Sequence, residues 1–145
     1  MATNKLAPFV EFQTPTNIRL SALWTSLMFL YIYADYFNLM APKKLENMMQ
    51  LQTPVGPTTP GVLIAFSVLL IVPSLMIILS IFLQPSLNRW LNILFGTIYG
   101  LISLLIIGLE FGNEWANFFI LYNAVELVIF YQIIRHAIKW PREIT

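Results

Sequence analysis

Four strongly apolar stretches, residues 20–40, 61–83, 90–109 and 115–134, alternate with short polar segments along a chain of 145 residues. Each comes close to the roughly 20 residues that cross about 30 Å of hydrocarbon at 1.5 Å per residue. Between residues 47 and 88 there is no charged side chain at all. The pattern predicts an all-α membrane protein, a single domain over residues 1–145, with four transmembrane helices at about residues 17–40, 61–84, 89–110 and 115–139.

The segments between these stretches set the connectivity. Thr16 and Asn17, after Pro15, are placed to cap the first helix, and Pro42 stops it. The long connection, residues 41–60, opens on Lys43-Lys44-Leu45-Glu46, where Leu45, Met48 and Met49 share one side of a short surface helix. Its Pro- and Gly-rich remainder excludes regular structure and lays the segment over the mouth of the bundle. Pro73 falls in the middle of the second helix and removes a backbone donor, so a neighbouring helix must supply a partner for the freed carbonyl. Residues 84–89 and Gly112-Asn113 make short turns, which force antiparallel neighbours in an up-down-up-down bundle.

Basic residues orient that bundle. Lys5, Arg19, Arg89, Arg135, Lys139 and Arg142 fall on the side of both termini, against Lys43 and Lys44 on the other. Short basic segments stay cytoplasmic, so both termini are expected inside and the 41–60 loop outside. Four tryptophans fit interface positions, with Trp24, Trp90 and Trp140 near the inner ends and Trp115 at the outer end of the fourth helix.

Composition narrows the functional classes. The chain is 58% hydrophobic and 10% charged, with a mean hydropathy of +0.73, far from an ordinary soluble domain. A net charge of +1 supplies no basic field for nucleic acid. Without cysteine there is no disulfide, thiolate metal site or dithiol chemistry. His136 is the single histidine, so one chain cannot furnish paired haem ligands, and no cofactor or metal is expected. No cleaved signal is expected at the N-terminus.

Helix three carries two Gly-x-x-x-Gly patterns, Gly96 with Gly100 and Gly108 with Gly112, which allow close helix approach within the bundle or in an oligomer. The polar residues at depth are few. A carboxylate at a helix centre costs about 2.5 to 3.5 kcal/mol on insertion scales, so it requires a partner, a water-filled cavity or a proton. Glu126 lies about 16 Å along the fourth helix from Trp115, near the midplane, with Asn123 and Tyr122 on its side and Phe119 and Phe130 flanking it. Asp35 lies nearer the outer end of the first helix and shares a face with Tyr31 and Asn38. Glu110 and Glu114 sit at the outer rim, and His136, Arg135 and Lys139 complement a helix C-terminus and anionic headgroups. For Glu126 and Asp35 two readings stand: a hydrogen-bonded packing contact, or a functional site.

The segments Leu23-Trp24-Thr25 and Leu30-Tyr31-Ile32-Tyr33-Ala34-Asp35, the run Tyr122-Asn123-Ala124-Val125-Glu126 and the closing Lys139-Trp140-Pro141 resemble an uncharacterised family of small bacterial four-helix membrane proteins, defined as a domain of unknown function. The chain is also loosely similar to DoxX-like proteins in size and helix count. The resemblance implies a multi-pass protein of a bacterial inner membrane and implies no activity. Small multidrug exporters share four helices and a membrane glutamate, but place it in the first helix, where this chain has Asp35.

Two functions follow as expectations. One is an oligomeric conduit or carrier for protons, small cations or cationic and amphipathic molecules, working through Glu126 and Asp35. The other is a non-catalytic subunit packed against a larger membrane complex, its acids partnered by another protein. For an enzyme the chain lacks a recognisable nucleophile: Ser67, Ser74, Ser80 and Ser103 have no histidine or lysine at comparable depth.

Overall fold

A computed structural model of the chain describes residues 13–54 and 56–141; Lys5 and Arg142, used above for orientation, lie outside the described residues. In chain order the helices are α1 (Thr16–Asn38), the short α2 (Lys44–Met49), α3 (Pro60–Phe82), α4 (Pro85–Glu110) and, after a 3-10 turn at Glu114–Ala116, α5 (Asn117–Ile138). Three of them, α3, α4 and α5 with its 3-10 turn, are long and apolar enough to cross a membrane. α1 has 23 residues, as many as α3, but Arg19, Asp35, its hydroxyls and its tyrosines keep it outside that set. Among the described residues the count on length and apolarity is therefore three spans, where four were expected.

The ends differ in detail from the sequence expectation. Pro15 precedes α1 with no side-chain cap, because Thr16 is already helical and the Asn17 carboxamide accepts only from the adjacent Ile18 N–H, at 3.0 Å. α4 starts at Pro85, four residues earlier than expected. Proline has no N–H to leave unpaired and its fixed φ suits a first helical turn, so the turn shrinks to Leu83 and Gln84. Thr59 caps α3 by accepting from Val62 N–H at 3.2 Å. The Pro-Gly segment does hold regular structure: β1 (Gln52–Thr53) and β2 (Gly56–Pro57) form a minimal antiparallel pair, closed by the Thr53 hydroxyl donating to Gly56 O at 2.7 Å. Gly56, at φ 122, turns the chain there. Pro54 at the tip lies among Asn38, Glu110 and Trp115, so the hairpin covers that end of the helices.

The protein is apolar outside. Ile64, Leu101, Leu105 and Leu121 are 60 to 65% exposed, which matches a surface solvated by lipid and not by water. Inside, α4 presents Asn88, Asn92, Gly96, Gly100 and Ser103, each three or four residues after the last, together with Tyr99, and all six are buried. Small residues let α5 approach closely: a Cβ on Gly96 would stand 3.1 Å from Ile134, and one on Gly100 would stand 3.6 Å from Phe130. With Ser103 reaching Glu126 as well, rising positions on α4 meet falling positions on α5, so these two helices run antiparallel. The second glycine pair does not pack. Gly108 has nothing within 4 Å, and Gly112 lies beyond α4 at φ 90, where it serves the turn.

Candidate functional site

Pro73 is where the site begins. Its missing N–H frees the carbonyl of Leu69 one turn earlier, and the Tyr99 hydroxyl donates to that oxygen at 2.8 Å. The proline-containing turn of α3 is thereby tied to α4 at mid-helix. The Tyr99 ring stacks on Phe130 and meets the edge of Trp24, with centroids 6.3 Å apart in both pairs; Trp24 lies 6.1 Å from Phe130. This aromatic triad forms the centre of the core together with Leu20, Leu27, Met76 and Ile133.

On one side of the triad, toward the hairpin, the helices enclose a cavity of about 310 Å³. Phe66, Leu69 and Leu70 of α3 and Ile102 and Ile106 of α4 supply apolar walls. Its polar groups are Tyr31 and Asp35 from α1, Tyr99 and Ser103 from α4, and Asn123 and Glu126 from α5. Glu126 is 3% exposed, and its Oε2 accepts from the Ser103 hydroxyl at 2.9 Å. Asn123, 2% exposed, donates through Nδ2 to Phe119 O at 2.8 Å, while its Oδ1 is buried without a partner. Asp35 is exposed and borders the same cavity as Glu126. Among the described residues no lysine, arginine or histidine lines the space. A buried acceptor and two acids with no cationic neighbour suit a ligand that brings positive charge or hydrogen-bond donors.

Of the polar residues singled out from sequence, Glu126, Asn123, Asp35 and Tyr31 come together in this cavity, and Tyr122 does not. Along α5 the line Phe119, Asn123, Glu126 faces inward, and Tyr122, about 100° of rotation from Asn123, turns to the flank. Ser103 bonds Glu126 across to α5, whereas Ser67 returns to Leu63 O of its own helix and Ser74 donates to Leu70 O and to Met28 Sδ of α1. The sign of an inward α4 face was its run of small and polar residues.

On the other side of the triad lies a buried polar network that the sequence reading missed. Trp24 Nε1 donates to Asn92 Oδ1 at 2.7 Å; Asn92 Nδ2 reaches Asn88 O and Oδ1 at 2.9 and 2.6 Å and Ser80 Oγ at 3.5 Å. Asn88 Nδ2 donates to Ser80 O at 2.6 Å, satisfying a carbonyl in the last turn of α3. Trp24 is therefore no interface anchor: it is fully buried because its indole N–H has a partner inside. Trp140 is half-buried against the core, while Trp90 and Trp115 are exposed, at 62 and 65%. His136 sits among Arg19, Arg135 and Lys139, away from the cavity. Among the described residues no group of three His, Asp or Glu is placed to hold a metal ion.

The chain belongs to a family of unknown function, DUF6326, whose profile matches residues 8–145. No curated protein and no solved structure matches it significantly.

Proposed function

We propose that this chain, a member of a family without an assigned activity, is a four-span membrane carrier whose cavity binds a small amphipathic cation through Glu126 and Asp35. The observation that carries the reading is the convergence of both acids, Tyr31 and the unpartnered Asn123 oxygen on one largely apolar cavity. About 310 Å³ is at the small end of ligand cavities. Apolar walls favour an organic body over a chain of water, and the acids favour a cationic or donor-bearing head. Tyr99 at the cavity wall packs on the buried Trp24 and Phe130 rings, which favours a carrier that rearranges over an open pore. In this reading α1 is the fourth span, its polar face turned to the cavity, and the bundle runs up-down-up-down with both termini cytoplasmic. Copies of the chain, or a larger membrane complex, would complete so small a bundle.

The test is uptake of a lipophilic quaternary ammonium, compared with protons and alkali cations, by liposomes containing the purified protein. The expected result is saturable uptake of the organic cation that Glu126→Gln abolishes in a folded, inserted protein, with Asp35→Asn acting non-additively on the same path. Uptake no greater than in empty liposomes, or a fully active Glu126→Gln variant, would refute the carrier and leave the accessory-subunit reading in its place.

A further inference from the structure

The cavity beside Glu126 has a neighbour. At the hairpin end a second cavity of about 250 Å³ is bordered by Asn38, Lys44, Pro54, Glu110 and Asn113. Its lining is more polar, and Glu110 is held in place there by the Asn113 carboxamide, which donates to Oε2 at 3.1 Å. Among the described residues Phe119 alone is common to both linings. The two spaces also follow each other along the helices. On α1, Asn38 borders the rim cavity and Asp35, one turn deeper, borders the inner one. On α5, Phe119 precedes Asn123 by one turn, and its carbonyl holds the Asn123 side chain. Asp35 is exposed and borders the inner cavity.

We infer that the rim cavity is an outer binding site and entry vestibule, from which a water-borne amphipathic cation passes the Phe119 ring to reach Asp35 and then Glu126. The cargo rests on the carrier reading above; the route does not. Lys44 and Glu110 carry opposite charges, so the vestibule repels neither sign and leaves selection for cations to the acids beyond Phe119. The aromatic partition also gives Phe119 a stated role. It is a positioning residue that sets the width of the passage and bonds neither acid.

The competing route is lateral, from lipid through the seam between α3 and α4, and a thiol probe separates the two. The chain has no cysteine, so Ser103→Cys places a single, nearly isosteric thiol beside Glu126. In nanodiscs that thiol is exposed to a quaternary-ammonium methanethiosulfonate, which is water-borne and cannot cross lipid, and in parallel to an uncharged lipid-soluble maleimide. The expected result is labelling by the charged reagent, slowed by Phe119→Trp and accelerated by Phe119→Ala, each by about tenfold, with the maleimide rate unchanged. Lys44→Cys at the rim should react equally fast in all three backgrounds. Where Phe119→Trp does not fold, the acceleration by Phe119→Ala decides alone. Labelling that ignores the size of residue 119, or that occurs with the lipid-soluble reagent only, would overturn the vestibule. Size-sensitive labelling without cation uptake would remove the cargo and keep the route; uptake with size-insensitive labelling would do the reverse.

Discussion

The hydrogen bond between Tyr99 and the Leu69 carbonyl is open to a quantitative test, because its cause lies in a third residue. Pro73 supplies no N–H to Leu69 O, so the Tyr99 hydroxyl at 2.8 Å is the donor this oxygen has in its place. Tyr99→Phe keeps the ring contacts with Trp24 and Phe130 and opens almost no cavity. What it removes is the donor, leaving a carbonyl bare. An orphaned buried group costs about 1 to 3 kcal/mol, whereas side-chain hydrogen bonds between membrane helices average about 0.6 kcal/mol and reach about 1.7. The lower range applies here, because the unfolded chain in a bilayer also finds partners; the expected loss is about 1 kcal/mol. Pro73→Ala restores an N–H one turn after Leu69 and so offers the same carbonyl a second donor. Its own effect on stability has several sources, but a double-mutant cycle cancels them. In the Pro73→Ala background Tyr99→Phe should cost about 0.5 to 1 kcal/mol less than in the native chain. Equilibrium unfolding in mixed micelles, followed by helical circular dichroism, measures all four corners. Equal cost of Tyr99→Phe in both backgrounds would show that the tyrosine is not compensating for the proline.

The glycines of α4 should separate by position: Gly96→Leu and Gly100→Leu force α4 from α5 and should each cost about 1 to 3 kcal/mol in the same unfolding assay, while Gly108→Leu, which meets nothing within 4 Å, should leave stability unchanged. Trp24→Phe leaves Asn92 Oδ1 without its 2.7 Å donor and should lower the melting temperature in detergent, by about 1 to 2 kcal/mol in free energy; an unchanged melt would mean the network adds nothing. For orientation, cysteines placed singly at the exposed Gln50 and Ser86 should be labelled and protected, respectively, by an impermeant reagent in intact cells, and the reverse pattern would invert the proposed topology.

Periodicity and composition were enough to read the helices, the short turns and the identity of the deep acids, because these are local. A run of apolar residues about 20 long reports its solvent without reference to any neighbour, and a carboxyl group within it is conspicuous because charge is costly there. The need for a donor to relieve Pro73 was also legible, since a missing N–H is a property of one residue. Which residue answers that need was not, for Tyr99 lies 30 positions beyond Leu69. The same holds for Trp24. Its depth in the first helix suggested an interface anchor, and only the approach of Asn92 from α4 makes its burial cheap. Glycine spacing named two close-contact pairs, yet contact requires a partner helix, and α5 lies against Gly96 and Gly100 and not against Gly108. Tyr122 and Asn123 are adjacent in sequence, but the rotation of α5 about its axis, set by packing on α4, sends one into the cavity and the other to its flank. The chain by itself thus determined which segments are helical and which groups are out of place in an apolar medium; tertiary packing decided which of those groups meet, because interhelical distance and rotation depend on every facing side chain at once.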